Sequence, residues 1–334
     1  MKRFVAAMWL CMALQAVAQT TAAQTTTAQT TTAPAAAPVE CPPTPHMPTA
    51  EERARGTEQA RDHGFLWRVS KNGRSSYLYG TIHIARMEWM FPGPKVSAAL
   101  RASQVVAFEL DITDAALMRR LQSGFSAQAG EPGAELPEDL AVRLREHLRA
   151  ACAPPEMLSA MSPEMVGALL VMMSVRRDGL DANYGIDPAL AHIAREQMKT
   201  VVSLETPELQ LKLLKSSSAG DLREGLEKML DDLEHDRARP MLLRVAQVWA
   251  DGDADTMLRY REWCDCAKTA LERATLKAML DDRNPAMAAR IDALHAGGKT
   301  VFAAVGSLHM FGKSGLPALL ARRGYKVERI EFKP

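Results

Sequence analysis

The sequence lacks most of the features that assign a function on sight. It has no excess of one charge: 41 Lys and Arg stand against 40 Asp and Glu, a net charge of +1. No dense basic stripe breaks that balance, which argues against nucleic acid as a partner. Beyond the first residues no apolar run reaches membrane-spanning length. The greasiest stretch, Leu169–Met173, is closed by Arg176 and Arg177. No heptad seam persists long enough for a coiled coil. There is no His-Glu-x-x-His helix and no Gly-x-Ser-x-Gly turn, which disfavours the common zinc-protease and serine-hydrolase templates. Cysteine is scarce, five residues in 334.

What is present begins with a leader. Residues 1–18 carry Lys2 and Arg3, an apolar run from Phe4 to Leu14, and Ala16, Val17 and Ala18. This is the layout of a cleavable signal peptide, with the cut expected after Ala18 and a periplasmic or secreted product. Residues 19–50 are rich in Thr, Ala, Gln and Pro. They offer too little to bury to offset ordering entropy, so disorder is expected there. Residues 51–334 remain for the folded domain. Without Cys11, four cysteines are left: Cys41, Cys152, Cys264 and Cys266. An even number in an oxidising compartment suggests two disulfides, with three possible pairings. A bridge from Cys264 to Cys266 would be strained, so each is expected to pair elsewhere. The rival use of those two, a soft-metal site, lacks a second Cys or His pair at zinc spacing.

Two short segments repeat one another across most of the chain. Tyr79–Ile84 and Val305–Met310 each read Gly, a small hydroxyl residue, an aliphatic residue, then His. The histidines, His83 and His309, are 226 positions apart. Each motif follows an apolar run that reads as a buried strand. A glycine suits a strand that turns sharply to expose a side chain, and the hydroxyls of Thr81 and Ser307 can fix such a turn. Two such turns at two strand ends can bring two imidazoles into one site.

The rest of the pattern alternates strand and helix. Phe65–Val69 and Tyr77–Tyr79 flank an Asn72-Gly73 hairpin signal. Gln104–Asp111 and Lys199–Glu205 read as further strands, and Val301–Val305 and Tyr325–Phe332 as the last two. Ser162-Pro163 and Asp187-Pro188 read as caps that open helices. The stretch from Asp221 to Leu294 is almost all helix, with breaks at Pro240, Gly252 and Pro285. The prediction is an α/β fold: a mixed, partly parallel central sheet flanked by helices, with a largely helical middle insertion. Ligands of such sheets sit beyond the carboxyl ends of the strands. His83, Glu109, Glu205 and His309 all fall at such ends.

Those residue types suit one chemistry. Glu109 stands in an apolar run, where an unpaired carboxylate is costly and needs a metal, a His or an Arg as partner. The other reading of Glu109 is an edge strand facing water. Glu205 closes a similar run, where capping of the next helix is the competing reading. His83, Glu109 and His309 make a plausible ligand set for a divalent ion, Mn, Co, Zn or Fe, with water completing the shell. Such an ion would lower the pKa of that water. Without it, the same groups can run acid–base hydrolysis. Arg283 is a candidate to bind a carboxylate or steady an oxyanion, against the alternative of a surface ion pair.

The ordered set of motifs resembles the TraB/GumN family, also called Tiki-like or PrgY-like. It is carried by Tyr79–His83, Phe108-Glu109, Gly185–Asp187, Val202–Thr206 with Gln210, Trp249–Asp253, Arg283-Asn284 with Met287, Val305–His309, Gly312, Gly315-Leu316 and Gly324-Tyr325. The resemblance implies a metal-dependent hydrolase acting on a peptide or protein. It places His83, Glu109 and His309 at the active centre, with Glu109, Glu205 and Arg283 as catalytic candidates. The alternative is a non-catalytic periplasmic protein that holds a peptide, a saccharide or a metal or haem ligand in the same cleft.

Overall fold

A computed structural model of the chain describes residues 40–332, apart from 130–135, 215 and 217. The expected leader and most of the expected linker lie outside the described residues. Six strands form one sheet: β1 (Phe65–Lys71), β2 (Arg74–Thr81), β3 (Val105–Phe108), β4 (Thr200–Ser203), β5 (Val301–Gly306) and β6 (Lys326–Ile330). Their order is β4-β3-β5-β2-β1-β6. β2, β5, β3 and β4 pair in parallel, and β1 runs antiparallel between β2 and β6. This is the mixed, partly parallel sheet that the alternating pattern predicts.

Local chemistry explains the elements. Asn72 and Gly73 both take positive φ, 53° and 73°, which a two-residue hairpin turn of the favoured hand requires. β3 and β5 are buried at every position, as expected of continuous apolar runs inside a parallel sheet. β3 lies between β4 and β5, so the reading of Glu109 on a water-facing edge is excluded. The apolar stretch Leu169–Met173 belongs to a core helix, Pro163–Met173, buried almost all round. Among the described residues no helix is long and apolar enough to cross a membrane.

Three boundaries differ from the sequence reading. Pro240 and Pro285 do not break helices. Each sits in the first turn of one, Ala238–Ala250 and Asn284–Ala296, where the missing N–H costs nothing. The helix expected to open at Asp187 begins at Ile186, with Gly185 as its N-cap and no side-chain cap bond. Asp187 is buried inside the first turn, and its carboxylate is used elsewhere.

The cysteine expectation is also corrected. The bridges are Cys41–Cys152 and Cys264–Cys266. Asp265, between the latter two, takes φ of 52°. That left-handed residue doubles the chain back and brings the flanking Cα atoms to 5.1 Å, within the span a disulfide needs. The other bridge, with contacts from Glu40 to Arg177 and from the His46 amide to the Tyr184 hydroxyl, ties residues 40–49 to the body.

Candidate active site

The parallel register sets four strand ends level. Thr81 lies opposite Gly306, and Phe108 lies opposite both Ala304 and Ser203. Beyond the last pairs of β3 and β4, Leu204 N donates to Phe108 O at 2.7 Å and Glu205 N to Glu109 O at 2.9 Å. The ladder thus continues just far enough to hold the two glutamates side by side.

The two Gly-x-x-His motifs touch. Ser307 Oγ donates to the Thr81 carbonyl at 2.8 Å. A Cβ on Gly80 would stand 2.9 Å from Ser307 Oγ and 3.2 Å from Ser307 Cα. Gly80 lies within β2 and is not among the glycines with positive φ. Its glycine is therefore needed for close approach of the second motif, not for a sharp turn.

His83 is fixed by Asp187. The Thr81 hydroxyl donates to Asp187 Oδ1 at 2.8 Å, and Asp187 Oδ2 lies 2.9 Å from His83 Nδ1. Burial alone would lower the imidazole pKa; the Asp187 carboxylate more than offsets it, helped by Glu109, and the net shift is upward. His309 is held differently. Its Nδ1 is 2.5 Å from Asn284 Oδ1, so the proton sits on Nδ1 and Nε2 is left as the acceptor. That nitrogen faces Arg283 Nη1 at 3.4 Å. Burial, then the Arg283 charge, holds the His309 pKa well below its ordinary value.

Arg283 is the hub. Its Nε donates to Glu205 Oε1 at 2.8 Å. Its Nη2 donates to Glu109 Oε2 at 2.6 Å and also to Glu205 Oε2. Its Nη1 donates to the Met279 carbonyl at 2.9 Å. Met279 lies in a π-helical turn, Lys277–Asp281, a wide turn often found at functional sites. Gly306 N donates to Glu109 Oε1 at 2.9 Å, and the Gln210 amide to Glu205 Oε2 at 2.8 Å. Both the surface-pair reading of Arg283 and the capping reading of Glu205 are thereby overturned. Two carboxylates share one guanidinium. Burial pushes the Glu109 pKa up to about 7 despite Arg283, and the Glu205 charge adds to the rise.

All these side chains are at most 8 % exposed. Against His83 lies a cavity of about 10 Å³, lined also by Ile82, Leu308, Val245, Trp249 and Met257. That is about the room one water needs. The last three residues come from the helices Ala238–Ala250 and Ala254–Leu258, so part of the helical middle covers this end of the sheet. Trp249 is locked there by its Nε1, which donates to the Gly80 carbonyl at 2.8 Å.

The sequence reading names His83, Glu109, Glu205, Arg283 and His309, which the structure places in one cluster. It misses Asp187 and Asn284, because both sit beside prolines and read as helix starts. The missed signal is that each also belongs to a segment that carries the family resemblance, Gly185–Asp187 and Arg283-Asn284. The expected metal set of His83, Glu109 and His309 does not fit a metal as arranged. Glu109 and the Nε2 of His309 both accept from Arg283, whose positive charge opposes a cation between them. Among the described residues no group of three His, Cys, Asp or Glu is placed to hold a metal ion.

The fold and site define an α/β protein with a buried acid–base cluster at the carboxyl ends of its parallel strands. The chain belongs to the TraB/PrgY/gumN family, whose model matches residues 65–329. It is 26% identical over 332 residues to a protein named metalloprotease TIKI homolog from Nematostella vectensis, covering 82% of this chain and 69% of that one. It is 37% identical over 94 residues to metalloprotease TIKI1 of Danio rerio, covering 28% of this chain and 19% of that one. It is 25% identical over 262 residues to the uncharacterized protein YbaP of Shigella flexneri, covering 74% and 88%. No solved structure matches.

Proposed function

We propose that this chain is an exported hydrolase that cleaves an amide bond in a peptide or protein. The observation that carries this reading is His83, which lies against Asp187 and lines a water-sized cavity, with the charges of Glu109 and Arg283 near enough to shift its titration. A carboxyl that titrates near neutrality suits general base work. In this reading Glu109 takes a proton from the attacking water. Asp187 keeps the Nδ1 proton of His83 in place, so His83 exchanges protons through Nε2 and protonates the leaving amine. Arg283 supplies fixed positive charge near the developing oxyanion. The names of the TIKI relatives support a peptide or protein substrate. The leader and the disulfides support export, to the periplasm or outside the cell.

The depth of burial favours a second reading, a closed binding protein that turns nothing over. One experiment separates the two. The purified mature chain is incubated with a mixed peptide library, and products are read by mass spectrometry for wild type, Glu109→Gln and His83→Gln. Cleavage that both substitutions abolish, in variants that still unfold cooperatively, supports the hydrolase. A wild type that releases no product over a range of pH and added divalent ions sinks it.

A further inference from the structure

We propose that Arg283 occupies the place of a metal ion in this site, and that the guanidinium is the site's resident cation. The argument rests on how the donors and acceptors are spent. A guanidinium has five N–H donors and no acceptor. Here five acceptors surround it: Glu205 Oε1, Glu205 Oε2, Glu109 Oε2, the Met279 carbonyl and His309 Nε2. Three of the four residues that contribute side chains or carbonyls here are of the types that ligate hard or borderline cations. They point at one centre, as ligands do, but the centre is an arginine side chain.

The supporting residues match that role. The remaining oxygen of Glu109 is taken by Gly306 N, and the second nitrogen of His309 by Asn284. Each group is thereby oriented toward Arg283, as outer partners orient the ligands of a metal. Arg283 is itself anchored. It precedes the helix Asn284–Ala296, follows the π turn, and is 3 % exposed. A divalent ion at the same centre would meet a fixed like charge and would have to displace a fully bonded guanidinium. The two occupants are mutually exclusive.

The inference concerns the same cluster as the proposed hydrolysis, but its test reads metal binding, so a chain that cleaves nothing still decides it. Wild type and Arg283→Ala are dialysed against chelator, then against buffer. Metal content is measured, and thermal unfolding is followed with EDTA and with added Mn²⁺, Co²⁺ or Zn²⁺. Wild type is expected to hold far less than one ion per chain and to melt at the same temperature in every buffer. Arg283→Ala frees Glu109, Glu205 and His309. It is expected to melt lower in EDTA and to recover by roughly 5 °C or more with one of the ions at saturation. A wild type that retains about one ion per chain, melts lower in EDTA and loses both traits in His309→Ala overturns the proposal. So does an Arg283→Ala variant that folds yet is as indifferent to all three ions as wild type. If that variant does not fold, the wild-type measurement alone decides between one ion and none.

Discussion

Arg283 and Glu205 meet fork to fork, with Nε on Oε1 at 2.8 Å and Nη2 on Oε2, both side chains being 2 % exposed. Such a pair is the strong form of an ion pair, because two parallel charge-assisted bonds fix its geometry. Its net worth against an apolar replacement is small, but breaking it from one side strands a buried charge. Arg283→Met leaves Glu109 and Glu205 facing each other. We expect a loss of about 3–5 kcal/mol, read by urea denaturation at pH 7.5. Arg283→Lys keeps the charge but not the fork, and should also lose stability. A methionine variant as stable as wild type would show that the pair carries no weight.

Gly80 gives a second prediction. Ser307 of the other motif sits against it, so Gly80→Ala forces a backbone or a hydroxyl to move. Overpacking of this kind costs about 1–3 kcal/mol, and the melting temperature should fall by several degrees. Gly220→Ala is the control. It lies in the first turn of the helix Ala219–Glu234, and the nearest atom to its added Cβ is Ser218 Oγ at 3.7 Å. That change should be neutral or slightly stabilising.

The contrast between these glycines shows what the sequence could and could not reveal. Periodicity and apolar runs placed all six strands, because burial on a pleated sheet imposes its pattern locally. The same strand ends placed His83, Glu109, Glu205 and His309 at one edge. What connects those ends is not local. That Gly80 faces Ser307, that Asp187 orients His83 and that Arg283 binds two glutamates all depend on the parallel register, which no short window of sequence contains. Local rules also misled where one residue type serves two purposes. An Asp before a Pro is usually a cap, and a Cys two positions from another is usually too close to bridge unless a left-handed residue intervenes.

Titration of the cluster should be visible in stability. The Glu109 pKa rises on folding from 4.5 to about 7, chiefly through burial. A raised carboxyl contributes stability below its unfolded pKa, and that contribution is lost as pH rises through the folded value. Wild type should therefore lose stability between about pH 4.5 and 7 from this group. His83, also raised, acts in the same sense above 6.5. His309, lowered by burial, acts in the opposite sense below 6.5, so only a comparison isolates Glu109. The loss of urea midpoint from pH 5 to pH 8 should be smaller in Glu109→Gln than in wild type; an equal loss would contradict the raised pKa. In Asp187→Asn, burial is no longer offset by the Asp187 carboxylate, and only the weaker influence of Glu109 remains. The His83 pKa should drop, and NMR titration of the ring would show it.

The two disulfides should differ sharply in worth. Cys41 and Cys152 are 111 positions apart, Cys264 and Cys266 only 2. A cross-link stabilises mainly by restricting the unfolded chain, and the effect grows with the loop it closes. Chain entropy gives about 5 kcal/mol for the long loop and about 1.6 kcal/mol for the short one. The long bridge also holds residues 40–49 against the body through Glu40, Cys41 and His46. Cys41→Ser with Cys152→Ser should therefore cost much more than Cys264→Ser with Cys266→Ser, measured by urea denaturation without reductant. The first pair should in addition expose residues 40–49 to proteolysis while leaving the sheet protected from hydrogen exchange. If instead the short bridge proves the costlier to remove, its role is local: it would be holding the turn at Asp265 between the covering helices and the π turn that delivers Arg283.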